Sequence, residues 1–191
     1  MSAIEHEQAP LTFRRAGAAD VDRIVALVNS AYRGESSRQG WTTEADLLDG
    51  QRTHHNEVLR LIAAENSLIL LGFRGAELVG CVHLEKVGDS AYFGMFAIRP
   101  GLQGQGIGKQ VMRMAEDLAR REWGVDKMLM TVITLRPELI AFYERRGYRR
   151  TGELRPFPEM PELGSPRVAG LQLEVLAKTL TAAGAAERES A

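Results

Sequence analysis

The sequence predicts a mixed α/β domain of the α+β-like kind, built on one central sheet. Three observations carry that prediction. Strand-like and helix-like hydrophobic periods alternate from Leu11 to Leu180 with no linker between them. Three strand-length apolar runs follow one another across short turns, as antiparallel hairpins do. A glycine-rich stretch then joins a strand directly to a long amphipathic helix. The chain has 191 residues, one ordinary domain's worth, and its 45% hydrophobic content with a net charge of −1 rules out a disordered chain.

Each element has its own warrant. Residues 1–10 and 181–191 are polar or alanine-rich and read as tails around a domain at 11–180. Leu11–Arg15 reads as the first strand. Val21, Ile24, Val25, Val28 and Tyr32 recur at helical spacing and predict a helix over 19–33. Residues 34–41 form a polar connection. Thr43-Glu44-Ala45-Asp46 looks like a helix start, carried on by Leu47 and Leu48 and stopped at Gly50. Thr53 is placed to cap another helix, with Val58, Leu59, Ile62 and Ala63 on its apolar face. Segments 68–73, 78–86 and 91–98 are strands, with turns at Arg74-Gly75 and Gly88-Asp89. Ile107–Trp123 is a long helix striped by Ile107, Val111, Met114, Ala115 and Leu118. Residues 127–132 form a strand. Pro137 suits a helix start, Leu139, Phe142 and Tyr143 mark that helix's apolar face, and Gly147 ends it. Segments 148–154 and 171–177 are the last strands, making about seven. The connection 155–170 is longer than most, which points to a functional loop beside the acceptor.

Composition excludes several function classes. Near-neutral charge argues against a nucleic-acid binder, and the Arg145, Arg146, Arg149, Arg150 and Arg155 cluster reads as a solvated helix end. The longest apolar run, around 68–73, is far short of the ~20 residues that span a membrane. Residues 1–8 have no apolar h-region, so no secretory signal is expected. His6, His54, His55 and His83 lack zinc-ligand spacing, so no metal is expected. The lone Cys81 forms no intramolecular disulfide, fits a reducing cytoplasm, and reads as a buried strand residue rather than a nucleophile.

The most informative stretch runs from Met95 to Lys109, where a strand passes into four glycines and then a helix. Glycines permit positive φ and close backbone approach, and the helix N-terminus adds free N–H donors with partial positive charge. Together they form a phosphate cradle. It is not a Walker loop, because Gln103 and Gln110 stand where Gly and Ser/Thr are needed. A dinucleotide GxGxxG fails too, at Lys109 and Val111. What remains is Gln103-x-x-Gly106-x-Gly108, which is similar to the (Gln/Arg)-x-x-Gly-x-(Gly/Ala) signature of the GCN5-related N-acetyltransferases (GNAT). Downstream, Phe142-Tyr143-Glu144-Arg145-Arg146-Gly147-Tyr148 resembles the same family's Tyr-Glu-(Lys/Arg) helix motif. Where that family often has a pantetheine-binding Asn, this chain has Arg136.

The resemblance implies a mostly antiparallel mixed sheet, flanked by helices and splayed open at an acetyl-CoA cleft between the strands ending near Ile98 and beginning near Lys127. It implies acetyl-CoA as cosubstrate, its pyrophosphate on the N–H groups of Gln103, Gly104, Gln105, Gly106, Ile107, Gly108 and Lys109. The pantetheine arm would lie along Phe96, Ala97 and Ile98, with a backbone donor at Phe96 or Ala97 for the thioester carbonyl. Phe142 and Arg145 fall on the cofactor side, Arg145 or Lys109 near the 3′-phosphate. Tyr143 would be the general acid, although periodicity alone also fits a core aromatic. The expected strand carries no Glu to serve as base. Glu44, Glu85 and His83 are the candidates for that role, the last two sharing a strand face with Cys81; Glu44 is preferred, with Arg33 and Trp41 beside it forming an acceptor pocket, and Glu85 is a further acceptor-side residue. The expected reaction is acetyl transfer to the primary amine of a small molecule, in the cytoplasm, without nucleic acid or membrane partners and with a homodimer possible. A peptide or protein acceptor, or a non-catalytic acyl-CoA sensor, is the alternative.

Overall fold

The computed structural model describes residues 9–158 and 165–181. The tails read from the sequence lie almost wholly outside the described residues, as does the middle of the 155–170 connection. The strands are β1 (Leu11–Arg15), β2 (Ser67–Arg74), β3 (Glu77–Val87), β4 (Ser90–Ile98), β5 (Lys127–Ile133), β6 (Arg149–Pro156) and β7 (Gln172–Thr179). The helices are α1 (Val21–Tyr32), the single turn α2 (Gly34–Ser37), α3 (His55–Ala63), α4 (Ile107–Trp123) and α5 (Pro137–Glu144). The strands make one seven-stranded sheet in the order β1-β2-β3-β4-β5-β7-β6. Every neighbouring pair is antiparallel except β4 and β5, which α4 joins as a crossover. The mixed, mostly antiparallel sheet expected from the sequence is the fold.

Helices cover both faces of the sheet, and strand alternation divides the core accordingly. Leu68 and Leu70 of β2 enter the cluster with α4 and α5, while Ile69, Leu71 and Phe73 enter the cluster with α1 and α3. Helix α4 starts at Gly106 and stops at Gly124, both left-handed, with Arg120 and Arg121 in its last turn. Its fully buried stripe is Ile107, Val111, Met112, Ala115 and Ala119; Met114 and Leu118 only flank it.

Two departures from regularity position the site. Strands β4 and β5 pair only at Ala91–Met128 and Tyr92–Leu129, then part. The cause lies in β4: Cys81 of β3 faces Ala97 while His83 faces Gly94, so β4 carries one extra residue, with Met95 at φ 46°. Such a bulge bends its strand, here away from β5. The helix expected at Thr43–Leu48 is the second departure. It makes one turn only, with Leu47 and Leu48 bonding back to Glu44, because Leu48 bridges to Pro166 and Leu47 accepts from Arg167. Those distant partners take the backbone groups a helix would have used.

Candidate active site

The glycine loop leads from β4 into α4. Gly104 and Gly106 have φ of 83° and 77°, and at neither is there an atom within 4 Å of where a Cβ would stand. The loop therefore turns as only glycine does easily, and it leaves an unobstructed concavity in front of the first N–H groups of α4. No acidic residue lies in the first turn of α4. Lys109 is exposed at the rim; Gln105 is also exposed and accepts a hydrogen bond from Arg74 at 3.2 Å. Ile107 is buried in the core, and Gly108 packs where a Cβ would be 3.4 Å from the Phe96 ring. An open, donor-rich, acid-free cradle of this kind fits a pyrophosphate.

Gln103 turns its side chain the other way. Its Oε1 accepts from Trp41 N at 2.9 Å, and its Nε2 donates to Thr42 Oγ1 at 2.9 Å and Ile98 O at 3.2 Å. A Cβ on Gly40 would lie 2.6 Å from that Oε1, so a larger residue there would displace the Gln103 amide from these bonds. From the opposite side, Arg136 donates to the carbonyls of Trp41 (2.8 Å), Thr42 (3.3 Å) and Thr43 (2.9 Å), and pairs with Glu138. Segment 40–43 is thus a strap across the splayed sheet, held by the β4 side through Gln103 and by α5 through Arg136. Trp41 lies 4.9 Å from the Phe142 ring, and the Arg146 guanidinium stacks 3.4 Å over the same ring. Arg145 is exposed.

Beyond the strap, the space between the parted strands opens into a cavity of about 300 Å³. At one end lies the bulge. Met95 and Phe96 have no partner in the β3–β4 register, whereas Ala97 and Ile98 face Cys81 and Gly80. The buried Tyr32 hydroxyl donates to the Phe96 carbonyl. Tyr143 lines the same end, edge-on to Phe142 and Tyr148. Its hydroxyl has no hydrogen-bond partner among the described residues and is not sealed from the cavity. Burial above all, then the nearby Tyr32 and Glu44, raises this phenol well above the usual value, so it stays protonated. Phe157 and Pro158, at the start of the 155–170 connection, close another wall.

The cavity's charged groups are unequal. Arg33 and Glu44 form a buried pair, Nη1 to Oε2 at 2.5 Å, leaving Glu44 Oε1 without a partner among the described residues. Glu57 accepts from Thr53 Oγ1 at 2.6 Å, and Arg52 also lines the wall. His83 contacts Ser67 Oγ at 2.9 Å; because that hydroxyl gives its only proton to Leu61 O at 2.7 Å, His83 Nε2 must be the donor. Burial, then Arg60 and Arg52, lowers the imidazole to about 4, so it is neutral at physiological pH. Glu85 is half-buried and does not line the cavity; neither does Trp41, which packs on Phe142 instead. Cys81 is fully buried, its thiol pushed up to about 12 by burial. Among the described residues no cluster of three His, Cys, Asp or Glu is placed to hold a metal.

Comparison with known proteins agrees with this architecture. The acetyltransferase (GNAT) family model matches residues 23–148. The chain belongs to the GNAT family. With that family it is an acyl-transferring enzyme, and acetyl-CoA is the cosubstrate GNAT enzymes use. No curated protein sequence matches the chain significantly. Among solved structures it is similar to the ribosomal-protein-S18-alanine N-acetyltransferase of Escherichia coli, at 16% identity, covering 92% of this chain and 97% of that one, TM-score 0.67. It is also similar to an IAA acetyltransferase of Bacillus cereus, at 17% identity, 90% and 100% coverage and TM-score 0.61. A spermidine N-acetyltransferase chimera that includes the Vibrio cholerae enzyme matches at 17% identity, 89% and 95% coverage and TM-score 0.63. At such identities the likeness is one of fold. Within this GNAT domain, Arg52, Tyr32 and Arg146 are site residues that sequence reasoning missed. Tyr32 was hidden by its place in the helical stripe, and Arg52 sits in a polar connection that carries no signal. His83 had one: it shares its strand face with Glu85 but stands two residues nearer the bulge.

Proposed function

We propose that the protein transfers acetyl from acetyl-CoA to the primary amine of a small molecule by direct attack. The observation that carries this reading is the convergence of the Tyr143 hydroxyl, Phe96 at the bulge (without a partner in the strand register) and the free Glu44 oxygen on one cavity at the end of the glycine-loop cleft. A cavity of about 300 Å³, walled by Phe157 and Pro158, suits a small molecule better than a polypeptide. Gly104 to Lys109 would hold the cosubstrate's pyrophosphate, and Phe96 to Ile98 would flank its arm. Bound acetyl-CoA supplies the thioester carbon at which the C–N bond forms and the C–S bond breaks.

The chain's residues supply the rest. Phe96 N–H, without a partner in the strand register, would donate to a carbonyl oxygen as charge develops there. Tyr143 Oη holds a proton for the leaving sulfur, and its raised pKa keeps that proton available. Glu44 Oε1 takes the proton that the amine gives up, while Arg33 fixes the carboxylate's orientation. The test is a panel of primary amines incubated with acetyl-CoA, scored by product mass and coenzyme A release. Acetylated product, formed on the order of 10²-fold more slowly by Tyr143→Phe, upholds the reading. Tight acetyl-CoA binding with no product from any amine would replace it with a sensor.

A further inference from the structure

The charges that line the cavity are unequally paired. Tyr143, Phe96 and the spare oxygen of Glu44 line it, and so does a cation with no ion-pair partner among the described residues. Arg52 lines the cavity, and among the described residues its guanidinium has neither a hydrogen bond nor a carboxylate within ion-pair distance. Arg33, the other cationic side chain in the wall, is already paired with Glu44. Glu57 lines the same wall, but it is not within ion-pair distance of Arg52, and one of its oxygens is bonded to Thr53. A planar guanidinium with five donors and no acceptor has a carboxylate as its best-matched partner.

Arg52 is also held in place. Asn29 of α1 accepts from Arg52 N at 2.7 Å and Thr53 N at 3.2 Å, and donates to Thr53 O at 3.0 Å. A single amide thus clamps the main chain on which Arg52 stands, while its side chain makes no structural hydrogen bond. The guanidinium lies 5.8 Å from the centre of the Tyr32 ring, and the Tyr32 hydroxyl touches the Phe96 carbonyl. Arg52 is therefore at most about 11 Å from the bulge, along the ring, its hydroxyl and one hydrogen bond. That is within the span of a small aminocarboxylate plus its contacts. His83, neutral in the same wall, adds no charge to compete for the anion.

We propose that the acceptor is an amino acid-type molecule, its amine beside Glu44 and Tyr143 and its carboxylate bound by Arg52. This rests on the reading that an acceptor amine enters this cavity. The same pocket would discriminate against the corresponding carboxamides and decarboxylated amines, which leave the guanidinium unpaired.

The test separates binding from turnover. The standard α-amino acids, β-alanine and 4-aminobutyrate, each beside its carboxamide, are titrated calorimetrically into the protein saturated with coenzyme A. At least one acid should bind about ten-fold or more tightly than its amide. Arg52→Gln should abolish that preference and Arg52→Lys should keep part of it, each variant first shown by circular dichroism to be folded. No preference for any acid over its amide, or a preference that survives Arg52→Gln, overturns the proposal. Acetyl transfer is then measured on the same panel. Amides acetylated as well as acids, regardless of residue 52, would overturn the carboxylate site and uphold amine acetylation. Arg52-dependent acid binding with no product would uphold the site and overturn acetylation.

Discussion

Replacing Arg136 with alanine should unfasten the strap. Arg136 is 5% exposed, and three of its side-chain contacts are to the carbonyls of Trp41, Thr42 and Thr43. Hydrogen bonds from a charged donor contribute about 1.5–3 kcal/mol each; the 3.3 Å bond to Thr42 is the weakest and adds little. The two good bonds sit near the surface, since Trp41 is 40% exposed, so the freed carbonyls rehydrate in part. The pair with Glu138 adds less than about 1 kcal/mol, because Glu138 is 53% exposed. The expected loss is therefore about 2–4 kcal/mol, or a fall in Tm of roughly 4–15 °C for a chain this long. Arg136→Lys, which reaches fewer carbonyls at once, should recover part of it. Because Trp41 stacks on Phe142 beside the glycine-loop cleft, KM for acetyl-CoA should rise more than kcat falls. The reasoning is refuted if Arg136→Ala melts within about one degree of the parent protein.

Other outcomes follow from the site. Tyr143→Phe keeps the ring and loses an unbonded hydroxyl, so acetyl-CoA affinity and stability should hold while kcat drops on the order of 10²-fold. An unchanged kcat in steady-state assays would assign Tyr143 to packing. Gly106→Val forces a branched side chain to φ 77° and fills the open cradle; calorimetry on the folded variant should show at least about ten-fold weaker acetyl-CoA binding, and equal affinity would refute the cradle. His83 falls from an ordinary 6.5 to about 4 on folding, so between those values the unfolded chain binds a proton that the folded chain does not. Stability should thus fall as pH drops from about 6.5 to about 4, by about 3 kcal/mol, and be indifferent to His83 above about pH 7. Urea midpoints against pH for the parent and His83→Gln check this: identical slopes would disprove it.

Much of the fold was legible locally. Helix α4 was readable to its end residues because glycines flank it on both sides, and β2 to β4 because their apolar runs are punctuated by turns. The failure at Thr43–Leu48 has the opposite cause. Its capping pattern is genuine, but the backbone there is claimed by Arg136 and by Ser165 to Arg167, more than ninety positions away, and no local period reports such partners. The site divides in the same way. Tyr143 was read from a motif, and Glu44 from its place beside Arg33 and Trp41 where the resemblance sets the acceptor wall; Tyr143, Glu44 and Arg33 all line the cavity. Gln103 was read from its motif as a cofactor residue through its backbone N–H; the commitment of its side chain to the strap carried no signal. Arg52 becomes visible only in the folded chain, where nothing among the described residues is paired with it.

The sealed position of Cys81 makes the protein its own folding gauge. It is the chain's single cysteine, fully buried and held as a neutral thiol, and so unreactive toward disulfide reagents while the sheet is closed. Coenzyme A released by turnover carries the other thiol in an assay mixture. A thiol-reactive dye added during the reaction should therefore colour at once with product and show no protein background. The same dye, left with the enzyme alone, should label one site per chain at the rate at which β3 and β4 come apart, giving opening kinetics without any engineered probe.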